Sequence, residues 1–238
     1  MGLATAFVIF TVLVVVLSAL RRRLVFELSA LSLLLFGSSR PGVLLYSLLV
    51  LPGTVIHELS HWLVAEILQV RTGDIEILPE LKEQGGEQRL GHVMTAHADP
   101  FRSFLIGAAP FVTGVGLLVA TGYLLSRLWA VQAPWWQLAL AGYGAMVLGN
   151  SMLISASDRR SWPIVILLVC GLSFALYYAG VRVSLSQDTA LISALNVINI
   201  ALGMTLGLNL GMIALSFAAR RSAEHLTHKK VTQKGRAI

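Results

Sequence analysis

The chain has 238 residues, of which 56% are hydrophobic and only 13% are charged. Soluble globular proteins are about one quarter charged, so this composition excludes an ordinary soluble domain and predicts a polytopic membrane protein. The net charge of +6 does not predict nucleic-acid binding, because the basic residues lie in short connections and near the C-terminus. The single cysteine, Cys170, excludes a disulfide framework within the chain.

Hydropathy predicts an all-α fold with about seven transmembrane helices, with six to eight as the range. The first segment has no basic region before it, and Arg21-Arg22-Arg23 follow it, so we expect a retained helix and not a signal peptide. The second segment is short enough to be re-entrant, and Pro52-Gly53 is expected to kink or break the third. The segments lie near 4–20, 24–38, 43–68, 103–126, 135–157, 162–181 and 189–218.

The distribution of Lys and Arg predicts the orientation. If the N-terminus lies outside, 15 of the 18 basic residues fall on the cytoplasmic side, and the exceptions are Arg40, Arg127 and Arg182. The positive-inside rule therefore predicts an external N-terminus, a cytoplasmic C-terminus and a cytoplasmic active-site side. The short connections favour a prokaryotic plasma membrane.

The one substantial polar stretch covers residues 70–100. Its partial alternation on both sides of Gly85-Gly86 predicts a small cytoplasmic β-hairpin. We expect a single transmembrane domain over residues 1–218, followed by a basic cytoplasmic tail over 219–238 that faces solvent or lipid headgroups.

The third segment contains the sequence His57-Glu58-Leu59-Ser60-His61. On a helix, positions four apart lie on one face, so both imidazoles can bind one metal ion. The adjacent Glu58 would then act as the general base that takes a proton from zinc-bound water. Ionisable side chains inside membrane helices are costly and mark functional sites. The pattern predicts a catalytic zinc site with His57 and His61 as ligands.

Catalytic zinc usually has three protein ligands. Asp158 ends the fifth segment at a compatible depth and is the predicted third ligand. Glu66 turns about 140° away from His61 around the helix and is a poor candidate. His92 and His97 would reach the metal only if their segment folded back into the membrane.

These features resemble the site-2 protease family of intramembrane zinc metalloproteases. The likeness is carried by the His-Glu-Leu-Ser-His sequence, by Gly107-Ala108-Ala109-Pro110, and by Asn150 placed eight residues before Asp158. It covers about residues 43–158, and the segments at 1–38 and 162–218 are additional to that protease-like core. The resemblance implies that Asp158 is a zinc ligand and that Asn150 helps to hold the substrate strand.

The chain departs from the family pattern N-x-x-P-x-x-P-x-D-G at three positions. Leu153 and Ala156 replace the two prolines, and Arg159 replaces the glycine. No PDZ-like insertion is present. The resemblance is therefore to a shortened, divergent member.

The predicted function is a zinc-dependent intramembrane endopeptidase, with Glu58 as base and a membrane protein or transmembrane peptide as substrate. An unwound substrate strand could pair with the 70–100 hairpin. A catalytically silent, protease-like subunit of a larger membrane complex is one alternative, and a fourth ligand on the metal would favour it. A transporter with a metal site is another, although no inverted repeat is evident. Asn196, Asn199 and Asn209 are expected to serve interhelical packing.

Overall fold

The computed structural model describes residues 2–76, 92–95, 99–152 and 189–231, together with isolated residues between 163 and 178. The elements with defined bounds are five helices and one pair of strands. The elements are α1 (Leu3–Phe36), α2 (Arg40–Ile67), β1 (Thr72–Glu76), β2 (His92–Thr95), α3 (Pro100–Ala130), α4 (Trp135–Ser151) and α5 (Thr189–Thr227).

Four of these helices are long and apolar enough to cross a membrane: Leu3–Phe36, Arg40–Ile67, Pro100–Ala130 and Ala190–Thr227. Many of their large apolar side chains face outward, as Phe7, Leu48 and Val112 do. Such a surface would be costly in water and suits contact with lipid. The helices are compatible with an integral membrane protein, in agreement with the prediction from composition.

The prediction of two helices at 4–20 and 24–38 is wrong, because one helix, α1, covers both segments. The run Arg21-Arg22-Arg23 does not break it, since arginine is a good helix former and no glycine or proline interrupts the region. α1 ends at Gly37, whose φ of 70° lies in the left-handed region and whose N–H donates to Leu33 O. The described residues thus do not support seven helices.

The continuity of α1 also removes the support for the predicted orientation of the chain in the membrane. It required the chain to cross the membrane twice before Arg40, and α1 provides one continuous helix instead. The sides assigned to the connections after Phe36 therefore no longer follow from the positions of Lys and Arg.

The segments predicted at 43–68, 103–126 and 189–218 fall on helices. The segment predicted at 135–157 falls on α4 as far as Ser151, and residues 153–157 lie outside the described part of the chain. α2 is continuous through Pro52, so no break occurs at Pro52-Gly53. The predicted 162–181 helix lies largely outside the described residues. β1 and β2 pair in antiparallel fashion, with Ile75 opposite Val93. The predicted turn at Gly85-Gly86 lies outside the described residues, and the hairpin stays a prediction.

α1 and α5 lie side by side and run in the same direction. Asn199 Nδ2 donates to Ala6 O at 2.9 Å, and Arg220 Nε donates to Glu27 Oε2 at 2.6 Å, so the same offset of 193 residues holds at both contacts. The main core lies where this pair meets α3 and α4. Its buried members are Leu17, Leu118, Leu125, Ala141, Ala145, Leu148, Met152, Ile198, Ala201 and Leu202.

The boundary predicted for the basic tail is displaced, because α5 continues through Thr227. Glu27 is fully buried and binds Arg220 and Arg23, and Arg220 also binds Glu224 at 2.5 Å. A buried charge is tolerated when it is paired in this way. The start of the predicted tail is therefore part of the packed structure, and Arg220 is not a solvated residue.

Candidate metal centre

The two histidines of the motif lie on one face of α2, as their spacing predicts. The centroids of the His57 and His61 rings are 4.9 Å apart, and the ring planes meet at 78°. His61 and Glu58 are buried, with 7% and 6% of their surfaces exposed. The helix therefore brings the two imidazoles together, and Glu58, the residue after His57, is buried on the same helix.

His57 is oriented by the end of α4. Its Nδ1 lies 2.8 Å from the backbone carbonyl oxygen of Ser151. Ser151 is the last residue of α4, and the final carbonyls of a helix have no partner within the helix. The helix end thus offers an acceptor to the imidazole of another helix.

His61 is oriented in the same way by α3. Its Nδ1 lies 2.8 Å from the carbonyl oxygen of Ile106. A carbonyl oxygen only accepts hydrogen bonds, so Nδ1 carries the proton in both histidines. In a neutral imidazole this leaves the lone pair on Nε2, the nitrogen that can bind a metal. Metal-binding histidines commonly donate their other ring N–H to a carbonyl or a carboxylate, and both rings meet that requirement.

The close approach of α2 and α4 depends on Gly53, which lies one turn before His57. A Cβ at this position would stand 2.5 Å from Ser151 Oγ and 2.7 Å from Val147 Cγ1. Only glycine permits this spacing. α3 approaches the same end of α4 at Gly114, where a Cβ would meet that of Met152 at 2.6 Å. The last turns of α4 therefore pack closely against both α2 and α3.

Asn150, predicted to contact substrate, is buried between α4 and α5. Its Nδ2 donates to Asn209 Oδ1 at 3.1 Å and to Met146 O at 2.9 Å, and Asn209 Nδ2 donates back to Asn150 Oδ1 at 2.9 Å. Thr205 adds a bond from its hydroxyl to Ala145 O at 2.9 Å. The structure thus uses the Asn150 amide in interhelical packing, and its contact with substrate stays a prediction.

The predicted third ligand, Asp158, lies outside the described residues. Among the residues that are described, no group of three or more His, Cys, Asp or Glu side chains is placed to hold a metal ion. The two imidazoles have the donor chemistry that zinc prefers, and a catalytic zinc site here would need a third protein ligand. His97 also lies outside the described part, and His92 lies on β2.

The sequence did not identify several residues that support the site. Ser151 and Ile106 act through backbone carbonyls, which every residue possesses, so their side chains carry no signal. Gly53 precedes His57 by one helical turn, a small-residue position that could have been recognised as a helix contact. Asn209 was correctly expected to serve interhelical packing, but the sequence did not show that Asn150 is its hydrogen-bond partner.

The chain matches no protein-family model, no curated protein and no solved structure.

Proposed function

We propose that the protein is a zinc-dependent intramembrane endopeptidase that resembles site-2 proteases. The observation that supports this most strongly is the pair of histidines on α2, each with Nδ1 directed at a backbone carbonyl. The two imidazoles lie one helical turn apart on a helix that is apolar enough to cross a membrane, and both have the Nδ1–H tautomer. Zinc-binding histidines require this arrangement, whereas helix packing does not.

In the proposal, His57, His61 and Asp158 hold the zinc. Zinc would supply Lewis acidity, which polarises a peptide carbonyl and makes water a better nucleophile. Glu58 accepts the proton of the attacking water and returns it to the leaving amine. Its position on α2 between the two ligands and its burial support this role.

The proposed substrate is a membrane protein or transmembrane peptide in the lipid bilayer. Peptide bonds in a helix are shielded and hydrogen-bonded, so the substrate has to unwind locally before it is cleaved. An unwound strand could add to the edge of the β1–β2 pair by backbone hydrogen bonds. Asn150 is proposed to help hold that strand, which requires it to exchange its bond with Asn209.

The experiment that tests the proposal compares purified wild type with Glu58→Gln in detergent. Zinc content is measured by mass spectrometry, and cleavage is measured on a panel of transmembrane peptides. We expect one zinc per chain in both proteins and a loss of cleavage of at least about 100-fold in the variant, since it lacks the base.

Each other outcome has a definite meaning. Wild type without zinc would contradict the metal centre, and normal cleavage by Glu58→Gln would contradict the assignment of the base. Zinc without cleavage in either protein would favour the alternative of a catalytically silent subunit. Asp158→Ala tests whether Asp158 is a ligand, because an unchanged zinc content would show that it is not.

A further inference from the structure

Pro110 lies inside α3, where proline is unusual. The helix runs from Pro100 to Ala130, so Pro110 lies about three turns from its start, and its side chain is buried. An interior proline lacks the N–H that would bond to the carbonyl four residues earlier, and its ring pushes that carbonyl away from the helix axis. The residue four positions before Pro110 is Ile106.

The carbonyl of Ile106 is the acceptor for His61. Its oxygen lies 2.8 Å from His61 Nδ1, across the interface between α3 and α2. The proline thus removes the normal helical donor to this oxygen at the one place in α3 where a zinc-motif histidine needs an acceptor. Ile106 is itself buried, with 6% of its surface exposed, so its carbonyl could not depend on bulk water for a partner.

The two histidines therefore obtain their acceptors by two different interruptions of helical hydrogen bonding. Ser151 offers its carbonyl to His57 because α4 ends there. Ile106 offers its carbonyl to His61 from the interior of a helix, where a carbonyl is normally occupied. Because Pro110 has no N–H, the helical bond from four residues on does not compete for this oxygen.

We propose that Pro110 is a positioning residue for the metal centre: it releases the Ile106 carbonyl, which fixes the ring orientation and the Nδ1–H tautomer of His61. This inference rests on the proposed function. Pro110 does not contact the metal or the substrate in this role. It acts through the Ile106 carbonyl, which accepts from His61 Nδ1 and so favours one ring orientation and the Nδ1–H tautomer.

The test compares wild type with Pro110→Ala, which restores an N–H four residues after Ile106. Pro100→Ala is the matched control, since Pro100 occupies the first turn of the same helix, where an N–H has no helical partner in any case. Zinc affinity is measured in detergent by competition with a chromogenic chelator. We expect a loss of about 10- to 100-fold for Pro110→Ala, which is typical for the loss of a supporting contact to a ligand, and no change for Pro100→Ala.

A double-mutant cycle with His61→Ala tests whether Pro110 acts through His61. In the His61→Ala background, Pro110→Ala should cause no further loss of zinc affinity. An equal loss in both backgrounds would overturn the proposal, because it would mean that the proline stabilises the fold in general. Equal zinc affinity in wild type and Pro110→Ala would also overturn it.

A measurement on the metal-free protein tests the tautomer of His61 without replacing Pro110. Nitrogen-15 NMR of labelled histidines, assigned with His61→Ala, reports the tautomer of His61. We expect the Nδ1–H form, and the Nε2–H form would overturn the inference. The absence of zinc from wild type would instead contradict the proposed function, so the two failures are distinguishable.

Discussion

Asn209 on α5 is hydrogen-bonded to Asn150 on α4, the residue directly before Ser151, whose carbonyl accepts from His57. The two amides exchange bonds of 3.1 and 2.9 Å and are almost completely buried. Because Asn150 and Ser151 are neighbours in the last turn of α4, the contact with α5 supports the helix end that faces His57. A helix outside the predicted protease-like core thus contributes to the site.

Replacing Asn209 with Ala should weaken both the fold and zinc binding. Asn150 Oδ1 would lose its donor inside the protein, which costs about 1–2 kcal/mol in the free energy of unfolding. Asn199→Ala is the control, because Asn199 lies on the same helix and its amide donates an interhelical bond to Ala6 O, away from α4. Unfolding in detergent and zinc affinity should be measured for both. Equal zinc affinities in the two variants would contradict a link between Asn209 and His57.

Gly53→Ala should separate α2 from α4. The added Cβ would stand 2.5 Å from Ser151 Oγ, so the helices have to move apart, at a cost of about 1–3 kcal/mol. The movement would lengthen the bond from His57 to the Ser151 carbonyl and lower zinc affinity. Gly144→Ala in α4 is the control, since a Cβ there meets nothing within 4 Å. A Gly53→Ala protein with an unchanged melting temperature would show that the contact is looser than described.

Glu27→Ala should destabilise the pairing of α1 with α5. The substitution leaves the buried guanidinium of Arg220 with Glu224 as its remaining acidic partner, and the loss of one partner from a buried ion pair costs about 3 kcal/mol. Arg221→Ala removes an exposed charge 3.7 Å from Glu224 and should cost less than about 1 kcal/mol. Denaturant unfolding of both variants checks the difference, and similar values would contradict the burial of the Glu27 network.

Asp99 caps the N-terminus of α3, because its Oδ1 accepts from the N–H groups of Phe101 and Arg102, each at 3.0 Å. These bonds, chiefly the one from Arg102, hold the pKa of the Asp99 carboxyl below its usual value. A carboxyl with a lowered folded-state pKa contributes stability above its unfolded pKa, and this contribution is lost as the pH falls through the folded value. The contribution should therefore be complete at neutral pH and disappear only in strong acid.

The capping prediction is checked by melting temperatures from neutral pH to about pH 2, below the ordinary aspartate pKa. Asp99→Ala should melt at a lower temperature than wild type at neutral pH, and the gap should close in acid. Asp99→Asn keeps an acceptor and should lie near wild type. A gap that persists unchanged at the acid end would show that the carboxylate does not act as the cap.

The sequence predicts the helical class and the placement of the two histidines because both follow from periodicity and spacing. It does not predict that α1 is continuous. Three consecutive arginines usually mark a membrane boundary, and here Arg23 binds Glu27, which also binds an arginine 193 residues away. Such a long-range partner has no local signature. The acceptors of His57 and His61 are backbone atoms, so they too depend on packing, and Asp158 stays a prediction.

The end of α4 against His57 has an electrostatic consequence. The C-terminal end of a helix carries about half a negative elementary charge, concentrated on its last carbonyls. The Ser151 carbonyl, 2.8 Å from His57 Nδ1, brings that charge directly to the ring. In a medium of low polarity the field is screened little, so it favours a metal cation beside the ring and opposes an anion there. α4 would therefore help to attract a divalent metal ion and resist a carboxylate product near the same ring.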